Sequence, residues 1–222
     1  MPRVVSGQEI ETKLRVTDLH GLRSRLKQLR ASVIIPRTHE FNTLYDTPEN
    51  HLFRHGQMIR IRVERPGTRS GGSGPLHDSP GILTFKGPAT RLHVLRKASG
   101  GPKIRKKLKI REEHEVTLES WQRMARILLA LGMKPKFRYE KFRTTFKIPG
   151  VSPLSVELDQ TPIGLFLELE GSVAAIDRGA VLLGYNSRDF INDTYGALFL
   201  DDCRRRGIKS ADMLFRRAKK TP

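Results

Sequence analysis

Cysteine is nearly absent from this chain of 222 residues, which contains only Cys203. A single cysteine excludes an internal disulfide and any zinc site that needs a Cys-x-x-Cys pair, and we expect Cys203 to be an ordinary residue of a C-terminal helix. Long apolar runs are missing too, since no stretch approaches the roughly 20 apolar residues of a membrane span. No apolar leader follows Met1-Pro2-Arg3, so the sequence predicts a cytoplasmic protein without a membrane segment.

Two common site signatures are present only in part. Gly71-Gly72-Ser73-Gly74 is not followed by the Gly-Lys-Ser/Thr of a phosphate-binding P-loop. His51 and His55 are four residues apart, but no third ligand is spaced to complete a zinc site. Residues 66–81, which are rich in Gly, Ser and Pro, are predicted to form a flexible loop between two strands.

Acidic residues are too few to balance the basic ones, and the formal net charge is +18. Much of the excess lies in residues 97–109 and in a basic C-terminal tail at residues 206–222. Such runs are usually solvated, and the alternative is salt-sensitive attraction to nucleic acid or polyphosphate. Binding to single-stranded nucleic acid uses aromatic side chains between the basic ones. Residues 97–109 contain none, which argues against a nucleic-acid partner.

The most informative positive feature is the alternation in Glu9-Ile10-Glu11-Thr12-Lys13. In a strand, successive side chains point to opposite faces, so two carboxylates and an ammonium share one face. Later segments repeat the pattern, with charged positions at Arg60 and Arg62, Lys86, Arg111 with Glu113 and Glu115, Lys141 with Arg143, Glu157 with Asp159, and Glu168 with Glu170. An ordinary sheet with one solvated face also alternates. Bulky paired charges on so many strands favour a β-barrel with an ionic lumen and an apolar outer wall covered by helices.

The motifs that carry these charges resemble the CYTH superfamily, the triphosphate tunnel metalloenzymes. In chain order they are Glu9-x-Glu11-x-Lys13, residues 41–48 with Asp-Thr-Pro, Arg60-x-Arg62, residues 83–88, Lys-x-Arg-Glu-Glu-x-Glu-Val at 109–116, Lys141-x-Arg143, and residues 158–171 with Glu168-x-Glu170. The resemblance covers residues 5–200, within a single predicted domain that spans residues 1–222. It implies a β-rich α+β fold, in which an eight-stranded antiparallel barrel with covering helices binds a triphosphate and a divalent metal.

The charged residues suit such a ligand, because buried charge is tolerated only when it is paired. The candidate catalytic and phosphate-binding cations are Lys13, Arg60, Arg62, Lys86, Arg111, Lys141 and Arg143. The candidate metal ligands are Glu9, Glu11, Asp159, Glu168 and Glu170. These are hard oxygen donors, which favour Mg²⁺ or Mn²⁺ over zinc. Glu113, Glu115 and Glu157 are candidates for orienting the cations or the metal ligands.

Two reactions could use the same tunnel. A triphosphatase directs water at the terminal phosphorus, whereas a class IV adenylyl cyclase directs the ribose 3′-oxygen at the α-phosphorus and releases pyrophosphate. A non-catalytic triphosphate- or polyphosphate-binding module is the third alternative, and loss of a metal carboxylate would be its mark. All five carboxylates are present, which argues against the non-catalytic module. No local motif separates hydrolysis from cyclisation, and we predict a metal-dependent phosphohydrolase with the cyclase as the alternative. The identity of the triphosphate stays open, as does a homodimer.

Helices are expected between the strands. Asp18 is a plausible N-cap for a helix at residues 19–30, and Thr117 for a second helix at residues 118–131 that stops at Gly132. Ser172 is expected to start a third helix, and a fourth is predicted at residues 187–205, where Tyr195 is expected to be a packing residue.

Overall fold

The computed structural model describes residues 6–67, 80–96, 104–209 and 211–215 of the chain. In these residues the strands are β1 (Ser6–Val16), β2 (Ser32–Asp46), β3 (Met58–Pro66), β4 (Gly81–Lys86), β5 (Thr90–Arg96), β6 (Ile104–Leu118), β7 (Lys134–Lys147), β8 (Leu154–Thr161) and β9 (Gly164–Gly171). The helices are α1 (Leu19–Gln28), α2 (His51–Arg54), α3 (Trp121–Ala130), α4 (Val173–Leu182) and α5 (Tyr195–Arg206), with a 3-10 helix at Ser187–Asp189. Most of the predicted loop at 66–81, and the predicted tail from residue 216 on, lie outside the described residues. No helix in the described ranges is long and apolar enough to cross a membrane.

Eight strands close into an antiparallel barrel in the order β1-β9-β8-β7-β2-β3-β4-β6, and β6 pairs back with β1. β6 is long enough to serve three partners. Its first half pairs with β5, its middle with β1 and its last residues with β4. β5 therefore lies outside the closed barrel. The predicted eight-stranded antiparallel barrel with covering helices is confirmed.

The apolar side chains of the strands form the outer wall of the barrel and pack under the helices. Leu14, Leu167 and Leu169 are fully buried in one cluster with Ile176 of α4 and Leu22 of α1. A second cluster lies under α3. Burying one such leucine stabilises the fold by about 1.5–3 kcal/mol. The outer wall thus supplies the apolar core and leaves the inner wall to charged side chains.

Two predicted helix starts are confirmed. The Asp18 side chain accepts a hydrogen bond from the Gly21 N–H at 2.9 Å and caps α1. Ser172 caps α4 by accepting from the Ala175 N–H at 3.3 Å.

The other two predicted helices have different bounds. α3 is capped by Ser120, not by Thr117, because β6 continues to Leu118 and pairs there with Gly81 of β4. The predicted helix at 187–205 is interrupted. Ile191 pairs with the backbone of Lys13, and Thr194 then caps α5.

α5 packs against lumen-facing side chains at one end of the barrel. Its buried Tyr195, Phe199 and Cys203 form a cluster with Tyr139 and Phe166, and with Leu44 and Phe137 at its edge. The strand positions of Leu44, Phe137, Tyr139 and Phe166 share the inner face with charged residues further along the same strands. α5 therefore covers this end of the lumen on the β7 and β9 side. Cys203 is a buried helix residue, as expected.

Candidate functional site

The structure brings every predicted site residue to the inner wall of the barrel. The cations come from β1 (Lys13), β3 (Arg60, Arg62), β4 (Lys86), β6 (Arg111) and β7 (Lys141, Arg143), and the carboxylates from β1 (Glu9, Glu11), β6 (Glu113, Glu115), β8 (Glu157, Asp159) and β9 (Glu168, Glu170). The register explains this convergence. Directly paired residues share a face, and Glu9 lies opposite Arg111, Lys13 opposite Glu168, and Arg143 opposite Asp159.

One group of charges centres on β7 and β8 and is called the arginine cluster: Lys141, Arg143, Glu157, Asp159 and Glu168. Arg143 donates to Asp159 through Nε at 2.7 Å and Nη2 at 2.6 Å, and also contacts Glu157 and Glu168. Lys141 Nζ donates to Asp159 Oδ2 at 3.0 Å. Bidentate guanidinium pairs of this kind combine strong hydrogen bonds with a fixed geometry.

Tyr195 completes the arginine cluster from α5. Its hydroxyl donates to Asp159 Oδ2 at 2.7 Å, and its ring centroid lies 5.1 Å from Lys13 Nζ and 5.4 Å from Lys141 Nζ. Burial, and then the Asp159 charge, raise the pKa of Tyr195 well above its usual value. The expectation that Tyr195 only packs was therefore wrong. A contact between α5 and β8 depends on how the helix docks, and no local sequence pattern shows it.

The adjoining part of the lumen, on β1, β4 and β6, holds the lysine cluster: Glu9, Glu11, Lys13, Lys86, Lys109 and Glu113. The shortest contacts join Lys13 to Glu168 at 2.7 Å, Lys109 to Glu11 at 2.7 Å, and Lys86 to Glu9 at 2.6 Å and Glu113 at 3.2 Å.

Lys109 was predicted to be a solvated residue of the basic segment, and this was wrong. It is 7% exposed, because it lies directly across from Glu11 in the β1–β6 pairing. The alternation Lys109-x-Arg111 was the signal that could have placed it in the lumen. The other predicted solvated residues of 97–103 lie outside the described part of the chain.

Carboxylates are crowded in and near the lysine cluster, and their pKa values show it. Burial, followed by repulsion from Glu11, raises the pKa of Glu9 to about 8. Burial also raises the pKa of Glu170, to which Glu113 and Glu11 add repulsion. Although burial opposes it, attraction from Lys13 and Lys109 holds the pKa of Glu11 well below its usual value. Glu9 and Glu170 therefore hold a proton more readily than free carboxyl groups do, because burial and repulsion from neighbouring carboxylates disfavour their charged form.

A third set of contacts fixes the arginines of β3. Arg60 donates to the Tyr139 hydroxyl and to Thr84 Oγ1, both at 3.1 Å, and to Glu115 at 3.4 Å. Arg62 contacts Glu64 at 2.9 Å and Glu115 at 3.6 Å. The sequence reasoning did not identify Tyr139 and Thr84 as partners of Arg60, although both follow the period-two pattern of their strands.

Arg111 and Glu40 have partners that the sequence did not indicate. Arg111 donates to the carbonyl oxygens of Gly87 at 2.8 Å and Gly56 at 2.9 Å, so it holds two loops together. Glu40, 2% exposed, contacts Lys141 at 3.5 Å and Arg143 at 3.6 Å, and attraction from these cations outweighs burial and lowers its pKa to about 2.

The lumen carboxylates fit a hard divalent cation by donor type. Glu9, Glu11 and Glu170 supply only oxygen, which suits Mg²⁺ or Mn²⁺. Burial first, and then repulsion from neighbouring carboxylates, raise the pKa values of Glu9 and Glu170. Within the described ranges no three His, Cys, Asp or Glu side chains are already grouped around one point. Asp159 fits least well, because Lys141, Arg143 and Tyr195 already bind its oxygens.

The outward histidines take no part in this site. The rings of His51 and His55 contact each other at a tilt, with 4.3 Å between their centroids, in and just after the exposed α2. His114 points to the outer face, where it is half exposed and pairs with Glu112 at 2.8 Å.

Comparison with known proteins agrees with this geometry. The CYTH domain model matches residues 7–185. The chain is 29% identical over 170 residues to "Putative adenylate cyclase MJ0240" of Methanocaldococcus jannaschii, covering 76% of this chain and 79% of that protein.

Two solved structures share the fold. One is a Vibrio parahaemolyticus protein named a "putative adenylate cyclase", with a TM-score of 0.65, 16% identity and coverage of 88% of this chain and 99% of that one. Another is "Putative adenylyl cyclase HpAC1" from Hippeastrum, described as having a dominant triphosphatase activity, with a TM-score of 0.55, 16% identity and coverage of 91% and 97%. CYTH proteins bind triphosphate substrates, typically with a divalent metal, and most are enzymes. The barrel and its lumen charges agree with the match of the CYTH domain model over residues 7–185. The chain belongs to the CYTH family.

Proposed function

We propose that this protein is a metal-dependent phosphohydrolase that binds tripolyphosphate or a nucleoside triphosphate in the lumen and cleaves its terminal phosphoanhydride bond. The observation that carries the proposal is the buried set of cations on five strands facing a common lumen. Buried ions are expensive unless paired. In the free protein they pair with Glu11, Glu115, Asp159 and Glu168.

The arginines and lysines would bind the phosphate chain. Arg62 and Arg143 keep 14% of their side-chain surface exposed, and a guanidinium can grip phosphate oxygens in a bidentate manner. Lys13, Lys86 and Lys141 would act as point charges around the chain. Fixed cations stabilise the charge that develops on the transferred phosphoryl group without reorganising at the moment of reaction.

Glu9, Glu11 and Glu170 are the residues best suited to hold a divalent cation, with Glu168 beside them. A bound Mg²⁺ or Mn²⁺ would neutralise phosphate charge and would make the attacking oxygen easier to deprotonate. Asp159 would keep Lys141 and Arg143 in place, so that both point into the lumen when the substrate arrives.

The cyclase is the second candidate, because relatives from Methanocaldococcus jannaschii and Vibrio parahaemolyticus carry that name. The described activity of the Hippeastrum protein supports hydrolysis instead. A purely binding role gains no support from the side chains, since all predicted metal carboxylates are present.

The test incubates purified protein separately with tripolyphosphate and ATP, with Mg²⁺ or Mn²⁺, and resolves the products. We expect orthophosphate and pyrophosphate from tripolyphosphate, and ADP from any ATP turnover. Cyclic AMP and pyrophosphate from ATP, with tripolyphosphate untouched, would establish the cyclase. Tight binding without turnover of either substrate would instead support a non-catalytic binding module.

A further inference from the structure

Asn42 is a fully buried lumen residue whose side chain has no hydrogen-bond partner. It is 0% exposed, and both Oδ1 and Nδ2 lack a partner among the described residues. Its place on the inner wall follows from the register, because it lies directly between Arg62 of β3 and Tyr139 of β7.

A second unsatisfied donor belongs to Arg60, which is the diagonal neighbour of Asn42 on the same face of the β2–β3 pair. Arg60 reaches over β2 to donate to the Tyr139 hydroxyl at 3.1 Å, which places its guanidinium beside the cross-strand neighbour of Asn42. Three contacts fix the Nη atoms of Arg60, whereas its Nε is buried without a partner.

Buried polar groups are normally paired, and an exception calls for a ligand, a water or a functional reason. Leaving a buried amide and a guanidinium N–H without partners destabilises the free protein. A bound anion would remove this cost by accepting from both donors. A lumen lined by cations makes a phosphate oxygen the matching acceptor.

We propose that Asn42 is a substrate-binding residue, which donates from Nδ2 to a phosphate oxygen of the bound triphosphate next to Arg60 Nε. This rests on the proposed function, since the ligand is the same triphosphate. The Oδ1 atom would accept a hydrogen bond from a water molecule bound to the phosphate chain. Asn42 also adds a contact that a point charge lacks, because an amide N–H is directional and fixes one phosphate oxygen relative to Arg60.

The test measures the dissociation constant of inorganic tripolyphosphate by calorimetry in EDTA, where turnover is suppressed, together with the melting temperature of the free protein. Asn42→Leu keeps the shape of the side chain and removes the amide. We expect about tenfold weaker binding, the effect of one hydrogen bond to a charged group. The melting temperature should be equal or higher, because an unpaired polar group is gone.

Two further variants sharpen the result. Asn42→Asp places a negative charge where the phosphate oxygen would lie, and should weaken binding about a hundredfold or more. Gln8→Leu removes an amide from the exposed outer face of β1, and should leave the dissociation constant within about twofold of wild type.

Unchanged affinity in Asn42→Leu would overturn the inference, and so would a lower melting temperature with unchanged affinity, which would mark a structural amide. If Asn42→Leu fails to fold, Asn42→Ala decides by the same affinity criterion. Absence of tripolyphosphate binding by the wild-type protein, both in EDTA and with Mg²⁺ added, would instead contradict the proposed function itself.

Discussion

The arginine cluster and the lysine cluster line the same lumen, but they balance charge in different ways. In the arginine cluster, Asp159 is fully buried and accepts from Lys141, Arg143 and Tyr195. In the lysine cluster, Glu9 keeps a raised pKa of about 8 even though Lys86 is 2.6 Å away. A fork of five N–H donors can saturate several carboxylate oxygens, whereas an ammonium is a point charge with three donors. The arginine side is therefore a fixed frame around Asp159. Burial raises the pKa of a carboxyl group on both sides, to about 8 for Glu9 and to about 7 for Glu157.

The largest expected effect is on the arginine side. Arg143→Ala leaves Asp159, Glu157 and Glu168 without their common guanidinium, and breaking a buried ion pair costs about 3–5 kcal/mol. We expect a loss of unfolding free energy of this size in urea titrations. Arg204→Ala, which removes an exposed pair with Asp201, is the control and should change stability by less than about 0.5 kcal/mol. If the two variants lowered the unfolding free energy equally, the arginine cluster would not be a stabilising frame.

Glu170→Gln tests the lysine side. No ion pair joins Glu170 to a cation of the described residues, so the variant removes a carboxylate without leaving a lysine unpaired. We expect Mn²⁺ affinity to fall about 10–100-fold, as measured by electron paramagnetic resonance, and turnover to fall with it. Glu112→Gln, on the exposed outer face of β6, should leave Mn²⁺ binding unchanged. Wild-type Mn²⁺ affinity in Glu170→Gln would remove this carboxylate from the metal site.

The Tyr195→Phe variant tests whether the contact from α5 stabilises the arginine cluster. The variant removes a buried hydrogen bond to a charged carboxylate, worth about 1.5–3 kcal/mol, and we expect a destabilisation in that range. Because Asp159 then orients Arg143 less firmly, kcat should fall more than KM changes. The control is Tyr185→Phe, whose ring lies at the edge of the outer core. If both tyrosine variants melt alike, the Asp159 contact does not stabilise the fold.

The last test concerns pH. The pKa of Glu9 rises from 4.5 to about 8 on folding, so above pH 4.5 the folded state holds a proton that the unfolded state has lost. The contribution of Glu9 to stability is therefore greatest below pH 4.5 and falls as the pH rises towards 8. We expect stability to fall across this window in EDTA, and we expect Glu9→Gln to reduce this fall. A slope that is the same in Glu9→Gln and wild type would assign the titration to other groups.

Much of the site could be predicted because strand alternation is a local property. The period-two rule correctly predicted lumen positions for Glu9, Glu11, Arg60, Arg62 and Lys86. The same rule applied to β2 would have found Glu40 and Asn42, which share a face in the strand before Asp-Thr-Pro. Lys109 was misplaced because a run of basic residues obscured its alternation with Arg111.

The helix boundaries show where local signals stop being sufficient. Asp18 and Ser172 cap their helices as predicted, because an N-cap depends on the adjacent residues alone. Thr117 has the right chemistry for a cap, but pairing with β4 extends β6 past it, and strand pairing is a long-range interaction. The same holds for residues 187–205, where Ile191 pairs with Lys13 and delays the start of α5.

The amino-acid sequence by itself determined which side chains face the lumen, since a strand of given residues has only two faces. It also determined the hard-oxygen donor set and the strong positive charge around it. Only the tertiary structure decided which charges pair with which. The closure of β6 onto β1 brings Lys109 to Glu11, and the docking of α5 brings Tyr195 to Asp159. Those contacts join residues far apart in the chain, and their energy depends on distance and burial that exist only after the barrel has closed.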